Sequence, residues 1–261
     1  MSIIIPFIVA VALWWGFTVA MLYRTGLPEA SFPRTLSVAT ILAFAGLVVI
    51  ARTADQATTL GAYAAFAGAL LVWSWHEISY FLGFVTGPRP ESCPEDCSNG
   101  QRFSLGIQAS LYHELAIIAT GGLLFILTFG ANNRVALWTY CILWAMRWSA
   151  KLNIFLGVRN LHMDYLPKRL QYLSTYVAQR DMNPLFPISM LVSTAVVLIC
   201  VTQAMGASSA FVVTGAVLCA TLLSLAMLEH VFLMFKVPDR VLWRLGTGRR
   251  DEVMRSSKSE R

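Results

Sequence analysis

Seven runs of apolar residues, separated by polar breaks, account for most of the chain: 3–23, 35–51, 60–85, 105–129, 135–158, 185–205 and 209–235. At a rise of 1.5 Å per residue, about 20 apolar residues match the hydrocarbon thickness of a bilayer. The run 35–51 sits at the lower limit for crossing. The pattern predicts an all-α polytopic membrane helix bundle of about seven transmembrane helices, with one integral-membrane domain over 1–246 and a charged cytoplasmic tail over 247–261. The first run has no cationic leader and no small-residue cleavage site, so it reads as a retained helix. Leu166, Leu170, Leu173 and Val177 recur at four, three and four residues, with Lys168, Arg169 and Arg180 off that stripe. This is the spacing of a helix lying in the interface, and Val241, Leu242 and Leu245 with Trp243 and Arg244 form a shorter version.

Composition supports the same class. Of 261 residues, 57% are hydrophobic and 13% charged. Soluble domains carry about 25% charged residues, so a soluble globular enzyme is excluded. The net charge of +6 matters through its placement. Sixteen of the 20 Lys and Arg fall in alternate loops and the tail, among them Arg24, Arg34, Arg89, Arg102, Arg159 and Arg169. The opposite loops hold only Arg52 and Arg134, and Arg147 with Lys151 lie inside a run. The positive-inside rule then sets the N-terminus outside (periplasmic) and the C-terminus in the cytoplasm. Cations distributed this way face membrane lipids and give no reason to expect nucleic acid.

The interior of the runs is not uniformly apolar. Three acid–imidazole dipeptides lie there: His76–Glu77, His113–Glu114 and Glu229–His230. Arg147 and Lys151 stand four apart, on one helix face, and Asn153 follows. An ionisable group at membrane depth costs several kcal/mol and is by default a functional site. Measured from the cation-rich end, His76 and His113 lie about 13 and 12 Å deep, Glu229 and Lys151 about 9 Å and Arg147 about 15 Å at helical rise. Four runs therefore place polar groups in one slab, which becomes a pocket if they face one another. Glu77, Glu114 and Glu229 against Arg147 and Lys151 leave a residual −1, which a proton or a bound cation would offset.

Several functions fit that constellation. It could be a satisfied network that only fixes helix register. It could bind a transition metal or a metallated tetrapyrrole, with His76, His113 and His230 as ligands and Glu77, Glu114 and Glu229 as ligands or orienting acceptors. Arg147 and Lys151 would then balance the acids or hold a carboxylate on the bound molecule, such as a tetrapyrrole propionate before esterification. An intramembrane metal-dependent oxidoreductase or hydrolase acting on a lipid or tetrapyrrole is the catalytic alternative, and proton or ion conduction the transport one. Adjacent His–Glu residues point about 100° apart and do not make the Glu-x-x-His pattern of di-iron bundles, and no His-Glu-x-x-His zinc motif is present.

Weaker signals complete the reading. Cys93 and Cys97 are a lone C-x3-C pair, read as two free thiols in a reducing compartment. His162 reads as solvated. Trp73, Trp75, Trp138, Trp144 and Trp148 read as packing and interface anchors whose flat faces also suit a planar pigment. Gly87-Pro88-Arg89-Pro90 and Asn183-Pro184-Leu185-Phe186-Pro187 read as helix stops.

The strings WSWHEISYFLGFVTGPRP (73–90), YHELAI (112–117), RWSAKLNIFLGVRNL (147–161), MNPLFP (182–187) and LEHVFL (228–233) resemble the PuhE family, over nearly the whole chain to about Leu245. The resemblance implies a polytopic protein of the bacterial inner (cytoplasmic or intracytoplasmic) membrane, encoded among photosynthesis genes of phototrophic bacteria. It implies an influence on bacteriochlorophyll supply and on assembly of the reaction centre with its core antenna. The expected partners are those antenna or reaction-centre polypeptides, pigment-synthesis enzymes and membrane lipids.

Overall fold

A computed structural model describes residues 3–160 and 167–235. Eight α-helices are described: α1 Ile4–Thr25, α2 Phe32–Thr53, α3 Thr59–Phe81, α4 Asn99–Ala109, α5 Leu111–Leu127, α6 Val135–Leu156, α7 Leu185–Gly206 and α8 Ala210–Met234. No strand occurs among the described residues beyond an isolated bridge between Val158 and Gln179. His162, Leu166, the 241–245 stretch and the tail lie outside the described residues.

Four helical segments are long and apolar enough to cross a membrane: Ile4–Thr25, Glu29–Thr53, Leu185–Gly206 and Ala210–Met234. The pair α4 and α5 adds a fifth if its 61° bend belongs to one span. Against the seven expected, α3 and α6 are as long, at 23 and 22 residues, but are not among the segments apolar enough over a spanning length. His76 and Glu77 interrupt α3, and Arg147 and Lys151 interrupt α6. The run 105–129 is broken at Ser110, where the backbone N–H of His113, freed at the start of α5, donates to the Thr86 carbonyl at 2.9 Å.

Local chemistry sets the helix ends. Thr58 caps α3 through its side chain, and Ser98 with Gln101 forms a capping box on α4. Two asparagines do the same work at opposite ends. Asn133 accepts from Val135 N and donates to the Thr53 and Gly61 carbonyls, tying α6 to α2 and α3. Asn183 accepts from the N–H groups of Leu185 and Phe186 and donates to the Asn153 and Gly157 carbonyls, tying α7 to the end of α6. Gly157 stops α6 at φ 121°, a conformation that L side chains rarely adopt.

The centre of the bundle is α3, which packs on α1, α2, α5, α6 and α8. Lipid offers apolar surface as good as a leucine side chain, so helices in a membrane associate through close packing and polar contacts. Ala62, Ala65 and Ala69 let α3 approach its neighbours, and α2 and α3 cross at Gly46 and Gly68. A Cβ on Gly46 would lie 2.7 Å from the Gly68 carbonyl oxygen, closer than packing allows. Large side chains point outward from α2, α5 and α7, as Phe44 at 68% exposure and Leu191 at 72% show.

Contacts gather the cation-rich loops at one end. Arg169 donates to the Leu82 carbonyl and pairs with Glu29 at 2.7 Å, joining the segments after α1, α3 and α6. Asn160 donates to the Phe232 and Phe235 carbonyls at the end of α8. At this end the expected surface helix is instead a 3-10 helix over Lys168–Tyr176. Its stripe faces inward: Leu170 is buried, and Leu173 and Val177 line the cavity described below. Cys93 and Cys97 are joined in a disulfide rather than free, their Cα atoms 6.9 Å apart and within bridging reach. Among the described residues, Cys141, Cys200 and Cys219 are free.

Candidate functional site

The polar residues of α3, α5, α6 and α8 meet. Glu77 Oε2 accepts from Arg147 Nη1 at 2.7 Å. The Arg147 guanidinium also lies 5.3 Å from the centre of the Tyr80 ring and 5.6 Å from that of Phe81. One turn along α6, Lys151 pairs with Glu114 at the start of α5 and donates to Ser110 Oγ at 3.4 Å. Tyr80 lies beneath both cations, with Lys151 Nζ 5.2 Å from its ring centre. An arginine carries five N–H donors and a lysine three, so each cation keeps donors beyond its glutamate.

Arg147, Lys151, Glu114 and Tyr80 line a cavity of about 510 Å³. Its walls are mostly apolar, with Phe103 and Ile107 from α4, Trp148 and Phe155 from α6, Leu22 from α1 and Phe232 from α8. Glu229 lines it too and forms no ion pair with another described residue. Small-molecule sites span about 300–1,000 Å³ and combine apolar walls with a few polar anchors, which is what this cavity offers.

The three histidines divide differently. His76 and His113 stack edge to face with ring centres 6.3 Å apart, and Tyr80 lies 4.5 Å from His113. Tyr140 Oη donates to the Ile117 carbonyl at 3.0 Å, so it accepts from His76 Nε2–H, also at 3.0 Å. That leaves His76 Nδ1 as a bare lone pair, and neither His113 nitrogen has a hydrogen-bond partner. His230 turns away from the others. Its Nδ1–H donates to the Ala226 carbonyl and its Nε2 accepts from Ser149, in a chain that runs through Ser189 to Asn153.

An axial ligand to a tetrapyrrole metal must present a nitrogen to open space. His113 is 0% exposed and His76 1%, and none of the three histidines lines the cavity. Among the described residues no group of three His, Cys, Asp or Glu is placed to hold a metal ion. His76, His113 and His230 therefore do not make the common ligand set expected with Glu77, Glu114 and Glu229. Adjacent helical positions point about 100° apart, and here the glutamates of α3 and α5 turn to the cations while their histidines turn into the packed interior. Arg147 and Lys151 are the cations that line the cavity, amid mostly apolar walls.

A family model described as a protein of unknown function, DUF3623, matches residues 1–254. The chain belongs to the DUF3623 family. This agrees with the PuhE resemblance of the five strings. A relative from Rhodobacter capsulatus, described as an uncharacterized 30.4 kDa protein in the puhA 5′ region, is 34% identical over 245 residues, covering 91% of this chain and 89% of its own. No solved structure matches.

In this DUF3623 chain, Tyr80, Tyr140, Ser149 and Ser189 belong to the polar network although no charge marks them. A signal existed for the first two. Tyr80 follows His76 by four residues and Tyr140 precedes Arg147 by seven, spacings that share a helix face. Ser149 and Ser189 carry no such mark, because serine in a membrane helix commonly bonds its own preceding turn.

Proposed function

We propose that this DUF3623 chain is an integral-membrane factor for the bacterial photosynthetic reaction centre and core antenna that handles bacteriochlorophyll supply, holding a tetrapyrrole precursor with a free carboxylate in the cavity. One observation carries the reading: an apolar-walled cavity has Arg147 and Lys151 on its surface, both with donors to spare. The carboxylate would sit on those cations in charge-assisted hydrogen bonds, and Trp148 and Phe155 would face the macrocycle. His76 and His113 support the wall from behind.

The relative's place in the puhA 5′ region supports a role in photosynthesis. In this reading all seven segments cross the inner membrane, with α4 and α5 as one bent crossing. Three observations support it: the length of α3 and α6, the grouping of the cation-rich loops at one end and the positive-inside rule. That end is cytoplasmic and the N-terminus periplasmic. Reaction-centre or antenna polypeptides and pigment-synthesis enzymes dock there, and lipid covers the flanks.

The test is an absorption spectrum of the protein purified in mild detergent from a phototrophic host. Wild type should carry a tetrapyrrole band, lost in Lys151→Gln and in Arg147→Gln. Colourless wild-type protein that also brings down no antenna polypeptide and no pigment-synthesis enzyme would refute the reading.

A further inference from the structure

Leu173, Tyr176 and Val177, in the 3-10 segment and just past it, line the cavity near the cation-rich end and form its roof. Two supports hold that roof. It packs on α4, where the Tyr176 ring lies against Gly106. Three hydrogen bonds also tie it to the loop after α3. Arg89 Nε donates to Tyr176 Oη at 3.2 Å, Tyr176 Oη donates to the Glu91 carbonyl at 2.6 Å, and the Cys93 N–H donates to Thr175 Oγ1 at 2.8 Å.

The disulfide sits where these supports join. Cys93 is bonded to the roof, and Cys97 stands directly before Ser98, whose side chain caps α4. The S–S bond links the two across Pro94, Glu95 and Asp96, all of them exposed. It therefore ties the loop that holds the roof to the start of the helix on which the roof packs. As a staple of the whole fold the bridge has little to offer. The chain entropy that a disulfide removes grows with the loop it closes, and this one joins residues only four apart. Its effect is local, on the clasp between loop, roof and α4.

We propose that Cys93 and Cys97 form a reversible thiol–disulfide exchange site, and that its reduction by a protein dithiol of the Cys-x-x-Cys class loosens the roof of the cavity. A thiolate of the incoming dithiol attacks one sulfur of the bridge, the S–S bond breaks, and the other cysteine leaves as the thiolate. The second thiol of the reductant then displaces the mixed disulfide. Two electrons and two protons pass to Cys93 and Cys97, and the reductant departs as a disulfide. The disulfide form of the same class runs the exchange backwards. Exposure of residues 94–96 leaves the bridge open to such a partner. The inference rests on the orientation proposed above, which puts this end in the cytoplasm. Disulfides in that reducing compartment are usually transient, catalytic or redox-sensing. It does not require the cavity to hold a tetrapyrrole.

The test uses the full chain in phosphatidylcholine nanodiscs, treated with reduced or oxidised thioredoxin. Maleimide-polyethylene glycol gel shifts count the thiols, and hydrogen-exchange mass spectrometry follows residues 168–177. Reduced thioredoxin should add two tags to wild type and none to the Cys93→Ser, Cys97→Ser double variant. Exchange over 168–177 should quicken by about twofold to tenfold, what one net hydrogen bond is worth, and oxidised thioredoxin should reverse it. The double variant should exchange at the fast rate under both treatments, with exchange across α7 unchanged as the folding control. Thr175→Val, which removes the acceptor of the Cys93 N–H, should still gain two tags while its exchange stays fast. No gain of tags in wild type would overturn the exchange site, and two tags with unchanged exchange would overturn its hold on the roof. After reduction, a membrane-impermeant maleimide should label Cys93 and Cys97 in inside-out vesicles and not in spheroplasts. Labelling in spheroplasts would overturn the orientation and this proposal with it, whereas colourless protein that passes the exchange test would sink the pigment reading alone.

Discussion

Removing Glu77 tests the α3–α6 connection with a magnitude that can be worked in advance. The carboxylate and the Arg147 guanidinium are 2.7 Å apart, with side-chain exposures of 12% and 18%. At an effective dielectric of about 20, unit charges at that separation attract by roughly 6 kcal/mol, against a desolvation penalty of several kcal/mol for each ion. Breaking such a pair from one side costs about 3–5 kcal/mol, because the other charge stays buried without its counterion. Glu77→Gln should therefore destabilise the protein by about that much, and Arg147→Met by more, since it also loses the contacts with Tyr80 and Phe81. The double variant should lose far less than the sum, because no orphaned charge remains. Equilibrium unfolding in mixed micelles, with dodecyl sulfate as denaturant, measures all four proteins. A coupling energy below about 0.5 kcal/mol, the level seen for independent sites, would refute the pairing as an energetic unit.

Three further outcomes follow from the packing. Tyr140→Phe removes the acceptor of His76 Nε2–H and should cost about 1–3 kcal/mol, the penalty of a buried unsatisfied donor, in the same unfolding assay. Asn183→Ala should cost about 2 kcal/mol or more, since it loses a helix cap and the ties to α6 together, and Asn183→Asp should recover the cap alone. Gly68→Leu should abolish accumulation of folded protein in the membrane, because even a Cβ at that position would lie 3.0 Å from the Gly46 carbonyl oxygen and from Ile50.

Much of this architecture is written in local pattern. The boundaries of α1, α7 and α8 fall within a few residues of the apolar runs, since a membrane span must be long and apolar whatever it packs against, and α6 follows the run 135–158 as closely. That glutamates of α3 and α5 meet the cations of α6 follows from neighbouring depth and opposite charge, both readable from position, whereas the pairing of Glu77 with Arg147 and Glu114 with Lys151 was not. The roles of the histidines were not readable, because rotation about a helix axis decides whether His76 or Glu77 meets the cations of α6, and depth carries no information on rotation. The bend at Ser110 was hidden inside an unbroken hydropathy signal that records composition and not backbone hydrogen bonding. The 3-10 roof over the cavity was hidden for a related reason: an amphipathic stripe shows that one face is apolar, without showing whether lipid or protein covers it.

Convergence of four separate helices on one cavity is most directly tested by dipolar recoupling solid-state NMR of the full chain in lipid bilayers. The sample carries ¹³C in the glutamate carboxyls and ¹⁵N in the arginine guanidinium groups. The expected result is a close carbon–nitrogen contact that disappears in Glu77→Gln and in Arg147→Lys, while the surface pair of Glu29 with Arg169 persists in both. A wild-type spectrum unchanged by either substitution would place Glu77 and Arg147 apart and contradict the site.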